Sequence, residues 1–377
     1  MPMTAQIPTG LEYVAARLHV RRAALAEAAR LDALCRIRTI SELGRALWPD
    51  AATDSAIELQ RRMVGDLVSE CLWLRRLLEG PTGDLLEWVG VRFQMENLKV
   101  LARGMAAGAR WDEVQPYLMP LPGDLAVEAQ ALASAESVEA FAALVPRPSL
   151  QRAVEAVRDV FRSQPQAFFI EAALDQAYFV ELLARTAALP DEDRLAVLPV
   201  VRQEVDAFHL ALVTRGSLLY GMRPKLLAPF HVGGAGIRRV RLVAMLVAGN
   251  LADVAAKAVG LAIDELPHEL SGQAGLRPGG AGLRPGEAGL AGAMDPSLLE
   301  VMARNRFLRL ANRAFRRSHM GPGAVFGYTA IRRVELANLI TLTEGIRVGL
   351  RPEAIRARLI PQAVSTASKT DAQVSHA

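Results

Sequence analysis

Cysteine, lysine and aromatic residues are scarce in this chain of 377 residues, and each scarcity closes off a class of function. The two cysteines, Cys35 and Cys71, have neither the number nor the spacing of a disulfide framework or a zinc site. Both fall in helical stretches, where they are expected to act as small buried hydrophobes. Lys99, Lys225, Lys257 and Lys369 are the only lysines, so the basic charge is carried almost wholly by arginine. Aromatic residues make up 5% and are not interleaved with the basic ones. No recognition motif accompanies them, and nucleic acid is not an expected partner.

Long apolar runs are also missing. The first 25 residues lack a continuous apolar core and carry Arg17, Arg21 and Arg22 within a helical pattern, unlike a secretory signal. The most apolar stretch, 242–263, is interrupted by Asn250, Asp253 and Lys257, each expensive at a bilayer centre, so no membrane span is expected. The six histidines, His19, His209, His231, His268, His319 and His376, show no metal-ligand spacing. No P-loop and no nucleophile elbow occur, and the glycines 233, 234 and 236 form an incomplete dinucleotide signature after a helical region, where an ordinary turn is expected. Neither a catalytic site nor a cofactor is expected.

What is present is 51% hydrophobic residues, dominated by Ala, Leu and Val among Arg and Glu, without period-two β-branched runs. An all-α fold is expected, with length for two or three domains. One pattern occurs three times. Glu58, Glu171 and Glu300 precede Asn97, His209 and Asn338 by 39, 38 and 38 residues, and Gly104, Gly216 and Gly345 follow each by seven. Such regularity implies triplication of one helical unit, over 1–120, 121–236 and 237–362.

The copies also agree between their landmarks. Three residues before the Asn position stand Gln94, Asp206 and Glu335. After it come Leu98, Leu210 and Leu339, one turn later Leu101, Val213 and Leu342, and then Arg103, Arg215 and Glu344. The leucine spacing puts the apolar residues on one helix face with the Asn position beside it. That position is expected to hold a hydrogen-bonded side chain between packed helices. His209 in place of Asn argues against three like metal ligands.

Along the chain, helices are expected over 13–33, 54–78 and 84–103, the last capped by Gly104. A short helix follows over 111–118. In the second copy Pro190 and Asp191-Glu192-Asp193 read as a helix start favoured by the macrodipole. A divalent-ion site for prenyl-diphosphate chemistry is the alternative, and no second acidic cluster completes it. AGLRPG stands at 274–279 and again at 281–286 inside a Gly/Pro-rich insertion, 271–294, expected to be a solvated loop. The polar tail 363–377 is expected to be disordered. Net charge is +4, but residues 301–360 hold 12 Arg against Glu335, Glu344 and Glu353. The excess reads as a solvated face or as a surface for an acidic partner or anionic headgroups, with Arg316 and Arg317 as contact candidates.

The segment GYTAIRRVELANLITLTEGIRVGLRPEAIRARLI at 327–360, IEAALDQAYFVELL at 170–183 and MENLKVLARG at 95–104 together resemble the C subunit of V-type/A-type rotary ATPases, which is similar to the d subunit of vacuolar ATPases. The likeness spans nearly the whole chain outside the insertion and the tail. Gln94 stands where the family has an acidic residue, His209 where it has Asn, and Glu344 where it has Arg. The resemblance implies an all-α funnel of three helical domains about a pseudo-three-fold axis. It implies a non-catalytic rotor adaptor whose partners are the central-shaft subunits and the membrane proteolipid ring, at the cytoplasmic face of the membrane. A general helical scaffold and a prenyl-transfer enzyme are the alternatives from other classes.

Overall fold

The computed structural model describes residues 10–50, 53–248, 296–318 and 320–361. The insertion 271–294 and the tail 363–377 lie outside the described residues. Among those described, every regular element is helical and none is a strand. Six long helices form three pairs: α1 (Ala56–Arg76) with α2 (Gly80–Ala107), α3 (Ala167–Ala187) with α4 (Asp191–Ala211), and α5 (Pro296–Ser318) with α6 (Pro322–Arg347). Shorter helices fill the connections, among them Leu11–Ala23, Pro148–Ala156 and Pro352–Arg356.

Local sequence explains where the long helices begin and end. Ser55 caps α1 by accepting from the Glu58 amide at 3.3 Å. The Gly80-Pro81 pair opens α2, four residues before the expected start at 84, because proline tolerates the first helical turn and Gly80 reaches it with φ 60°. Gly104 does not cap α2. The helix continues to Ala107, and Gly108 supplies the left-handed residue, with φ 63°. Asp191, Glu192 and Asp193 occupy the first turn of α4, as the charge pattern predicts. Beyond Ala211 the chain widens into a π-helical stretch, Leu212–Leu219, that carries Gly216.

The pairs pack in a closed circuit. Within each pair the two helices touch, and in addition α2 packs on α3, α4 on α5, and α6 back on α1. The N-terminal helix Leu11–Ala23 also lies on α6. Burial follows from that enclosure. In α6 every residue from Pro322 to Ile331 is buried, so this half-helix has no solvent face. One large apolar cluster runs through all three pairs. A second joins the two ends of the chain, with Leu31, Leu34 and Leu43 against Leu339, Leu342, Ile355 and Leu359. Cys35 and Cys71 are both buried, and burial pushes the Cys71 thiol up to about 12, which keeps it protonated.

The α6–α1 contact is made through buried charge. Arg332 donates from Nε to Glu70 at 2.8 Å and from Nη2 to Asp66 at 2.8 Å, and it also pairs with Glu335. The Tyr328 hydroxyl donates to Glu70 at 2.9 Å, and Arg21 from the N-terminal helix reaches the same carboxylate. Burial works against the Arg332 charge, but Glu335 and Glu70 outweigh it and hold the guanidinium protonated. Removing one partner from such a cluster strands the others in a low-dielectric interior. Arg332→Ala is therefore expected to destabilise the fold by about 3–5 kcal/mol, read as a lowered urea midpoint. A loss below about 1 kcal/mol, typical of exposed pairs, would show that water reaches the cluster.

Candidate functional site

The sequence landmarks make contacts that recur from pair to pair, with departures at Glu58, His209 and Glu344. Asn97, His209 and Asn338 lie on α2, α4 and α6, the second helix of each pair. Asn97 donates to the Met119 carbonyl at 2.8 Å and accepts from the Met119 amide at 2.9 Å. Asn338 grips Ile360 in the same way, at 2.6 and 2.9 Å. The carboxamide suits this because it offers a donor and an acceptor side by side. Its partner is backbone 22 residues downstream rather than a side chain on another helix. His209 accepts from the Val232 amide through Nε2 at 2.9 Å, which leaves the proton on Nδ1. Nδ1 is buried with no partner. The ring stacks on His231 at 4.7 Å with 10° between planes. Burial first, and His231 second, pushes His209 down to about 3, so it stays neutral.

The three glycines allow a close approach. A Cβ on Gly104 would stand 2.6 Å from Val114 Cγ2, one on Gly216 2.9 Å from Leu227 Cδ2, and one on Gly345 2.7 Å from Ile355 Cγ1. These aliphatic partners follow their glycines by ten, eleven and ten residues. Each belongs to a short helix that doubles back onto the long one.

Three residues before each Asn position lies a grip on the next part of the circuit. Gln94 donates to the Asp124 carbonyl at 3.0 Å, Asp206 accepts from the Ile237 amide at 2.8 Å, and Glu335 accepts from the Ala26 amide at 2.5 Å. Six residues after each Asn position lies a latch across the seam. Arg103 donates to Glu171 at 2.7 Å, and Arg215 holds Glu300 through two bonds of 3.0 and 2.9 Å. At the third seam Glu344 replaces arginine and accepts from Gln60 at 2.7 Å. Glu58, the third acidic landmark, is exposed near that seam and accepts instead from Thr53 at 2.6 Å.

Five residues before the Asn position stand Arg92, Glu204 and Arg333, and the fold brings all three together. Arg333 bonds to Glu204 Oε1, while Arg92 Nη1 lies 3.7 Å from the same oxygen, beyond hydrogen-bond range. Arg92 Nη1 and Glu204 Oε2 are buried without a hydrogen-bond partner in the protein. Burial opposes the Arg92 charge, but Glu204 and Glu96 prevail and raise its pKa. The triad lines a chamber of about 560 Å³ bounded by α2, α3, α4, α5 and α6, whose wall also carries the Arg103–Glu171 and Arg215–Glu300 latches. Beside the triad, Lys99 is buried, and it bridges Asp175 at 2.6 Å and Glu96 at 3.3 Å. No group of side chains able to hold a metal occurs among the described residues.

The sequence profile of the family described as ATP synthase (C/AC39) subunit matches residues 14–358. This chain belongs to that family. The C subunit of the V-type ATP synthase from one strain of Thermus thermophilus is 31% identical over 260 residues, covering 64% of this chain and 72% of the relative. The corresponding protein of a second strain of the same species matches to the same extent. A C/AC39 subunit is a non-catalytic part of a rotary ATPase, and this one is an all-α rotor subunit of such a membrane complex. No helix among the described residues is long and apolar enough to cross a membrane.

The Glu landmarks fall on the first helix of each pair and Asn97, His209 and Asn338 on the second, but the chamber triad and the aliphatic partners of the glycines escape a landmark search. Extending the alignment of the copies by two positions before Gln94, Asp206 and Glu335 reaches Arg92, Glu204 and Arg333. Their unlike charges hide the equivalence. Arg316 and Arg317 are exposed on the last turn of α5, away from the chamber triad.

Two variants test these roles. Gly104→Ala gains up to about 1 kcal/mol of helix propensity but meets Val114, and overpacking of this kind costs about 1–3 kcal/mol. Net destabilisation is expected, and Val114→Ala in the same chain should recover part of it; additive losses would mean that the two sites do not touch. His209→Asn restores the two-bond clasp of the other copies. An ordinary histidine in the unfolded chain protonates below about 6.5, while native His209 resists until about 3. Stability from this residue is therefore fully present above the unfolded value and falls by about 1.4 kcal/mol per pH unit between the two. The Asn variant should show a stability-against-pH slope shallower by one proton between about pH 6 and 4, measured by urea titration; parallel slopes would contradict the buried neutral imidazole.

Proposed function

We propose that this subunit is the rotor adaptor of its complex, joining the central shaft to the proteolipid ring at the cytoplasmic face of the membrane. In this reading the repeats 1–120, 121–236 and 237–362 are related helical units set about a pseudo-three-fold axis. The open side of the resulting funnel receives the base of the shaft, and the other end seats on the ring. The observation that supports it is the closed circuit of six long helices, five of which bound a charged chamber, in a chain of the C/AC39 family. Torque transmission needs stiff helices and broad interfaces rather than a perturbed catalytic pair. The recurring clasps, grips and latches serve stiffness, because each ties a helix to backbone or side chains distant in sequence. Arg316 and Arg317 are proposed as contacts to an acidic partner on the outside of the assembly.

Membranes of the source organism lacking this chain should keep ATP hydrolysis in the released head but lose ATP-driven ion pumping. Pumping that persists without the chain would end the adaptor reading. In the same assay Arg316→Glu with Arg317→Glu should weaken reassembly at low salt, an effect screened once the Debye length falls well below about 10 Å. Unchanged reassembly would leave those two arginines as a solvated face.

A further inference from the structure

Among the described residues, the chamber carries one cation more than its own carboxylates balance. Arg103 faces Glu171 and Arg215 faces Glu300 across their seams. Deeper in, Arg92, Lys99 and Arg333 share Glu96, Asp175 and Glu204. Arg304 of α5 also lines the chamber, is exposed, and forms no ion pair or hydrogen bond among the described residues. Its backbone lies beside the triad, since Gln203, next to Glu204, donates to the Ala303 carbonyl at 3.3 Å. The same chamber holds the two unpartnered buried atoms, the donor Arg92 Nη1 and the acceptor Glu204 Oε2. Glu204 itself is more than nine-tenths buried, with its side chain 7% exposed.

We propose that the chamber seats a carboxylate carried on an inserted polypeptide, an acidic side chain or a chain terminus, against Arg304 and Arg92. The inference rests on the shaft-seat reading above and names the chemistry of that contact. A guanidinium with no partner presents a fork that matches a carboxylate and holds it more strongly than a neutral group. On the buried side of the contact, at Arg92 and Glu204, the attraction strengthens, and so does the penalty for leaving either charge unmatched. The lone acceptor on Glu204 favours a polypeptide over a free anion. A peptide N–H or side-chain amide next to the carboxylate satisfies Glu204 Oε2, whereas a bare anion brings a second negative charge against it.

The test uses the purified full-length chain and the purified central-shaft subunits of the same complex, with affinity measured by calorimetry at about 50 mM and about 300 mM salt. Arg304→Glu should bind about tenfold or more weakly at low salt, with a smaller deficit at high salt, and Arg304→Lys should fall between it and the wild type. Because Arg304 is exposed, all three proteins should melt together, so that a binding loss is not a folding loss. Arg304→Glu binding within about twofold of wild type at both salts overturns the inference and leaves the adaptor reading intact. A wild-type chain that fails to bind the shaft subunits overturns both. Inorganic phosphate that binds the isolated wild-type chain, is lost in Arg304→Ala, and leaves shaft binding unaffected by that variant would assign the site to a free anion instead and reject the proposal.

Discussion

A row of helices becomes a ring only if its last member buries itself against its first, and here that contact joins residues more than 250 apart in the chain. Arg332 on α6 meets Glu70 and Asp66 on α1, and Arg21 and Tyr328 converge on Glu70. Taking these charges out of water is costly, and the cluster holds because several donors face each carboxylate. The apolar cluster between the chain ends lies at the same junction, with Leu31 and Leu43 against Leu342 and Ile355. Closure thus combines a specific charged contact, which sets register, with non-specific burial, which supplies most of the driving force. Without closure the first helix of the circuit would expose Leu59 and Met63, which now pack against the far end of the chain.

The repeated grips follow the same circuit, and the last of them needs it closed. Gln94 holds backbone at 124, Asp206 holds it at 237, and Glu335 reaches round to Ala26 at the start of the chain. The last grip exists only because α6 returns to α1. A carboxylate can accept a backbone N–H but cannot donate to a carbonyl, so Gln94 marks the one place where the forward contact is made to carbonyls, at Asp124 and Ala126. The reversal is chemical, not architectural. The same holds for His209, which keeps the acceptor half of the Asn clasp and gives up the donor half.

The three seams differ in their charge. Two carry an Arg–Glu latch, and the third sets Glu344 toward Gln60, with Glu58 turned to its own helix start. An arginine at 344 is not needed there, since Arg332 already ties the same two helices from within. Around the chamber the equivalent positions bear Arg92, Glu204 and Arg333. Three identical residues meeting at one point would repel or leave each other unpaired, and the unlike charges at these three positions avoid that conflict. A rotor part built this way repeats its contacts in backbone plan and varies the charges that line it.

Much of this was legible in the sequence. Helix-forming composition, the 38- to 39-residue intervals and the paired leucines follow from local chain chemistry, so the all-α class and the recurrence of a polar residue at Asn97, His209 and Asn338 could be read without coordinates. Helix ends were legible only in part. Gly104 has the composition of a cap, yet it lies inside α2 because its missing Cβ is used for the approach of Val114, a contact that no local rule encodes. The chamber was not legible at all. Arg92, Glu204, Arg333 and Arg304 are ordinary charged residues on helices distant in sequence, and only the tertiary packing brings them to one chamber, where the first three lose most of their contact with water.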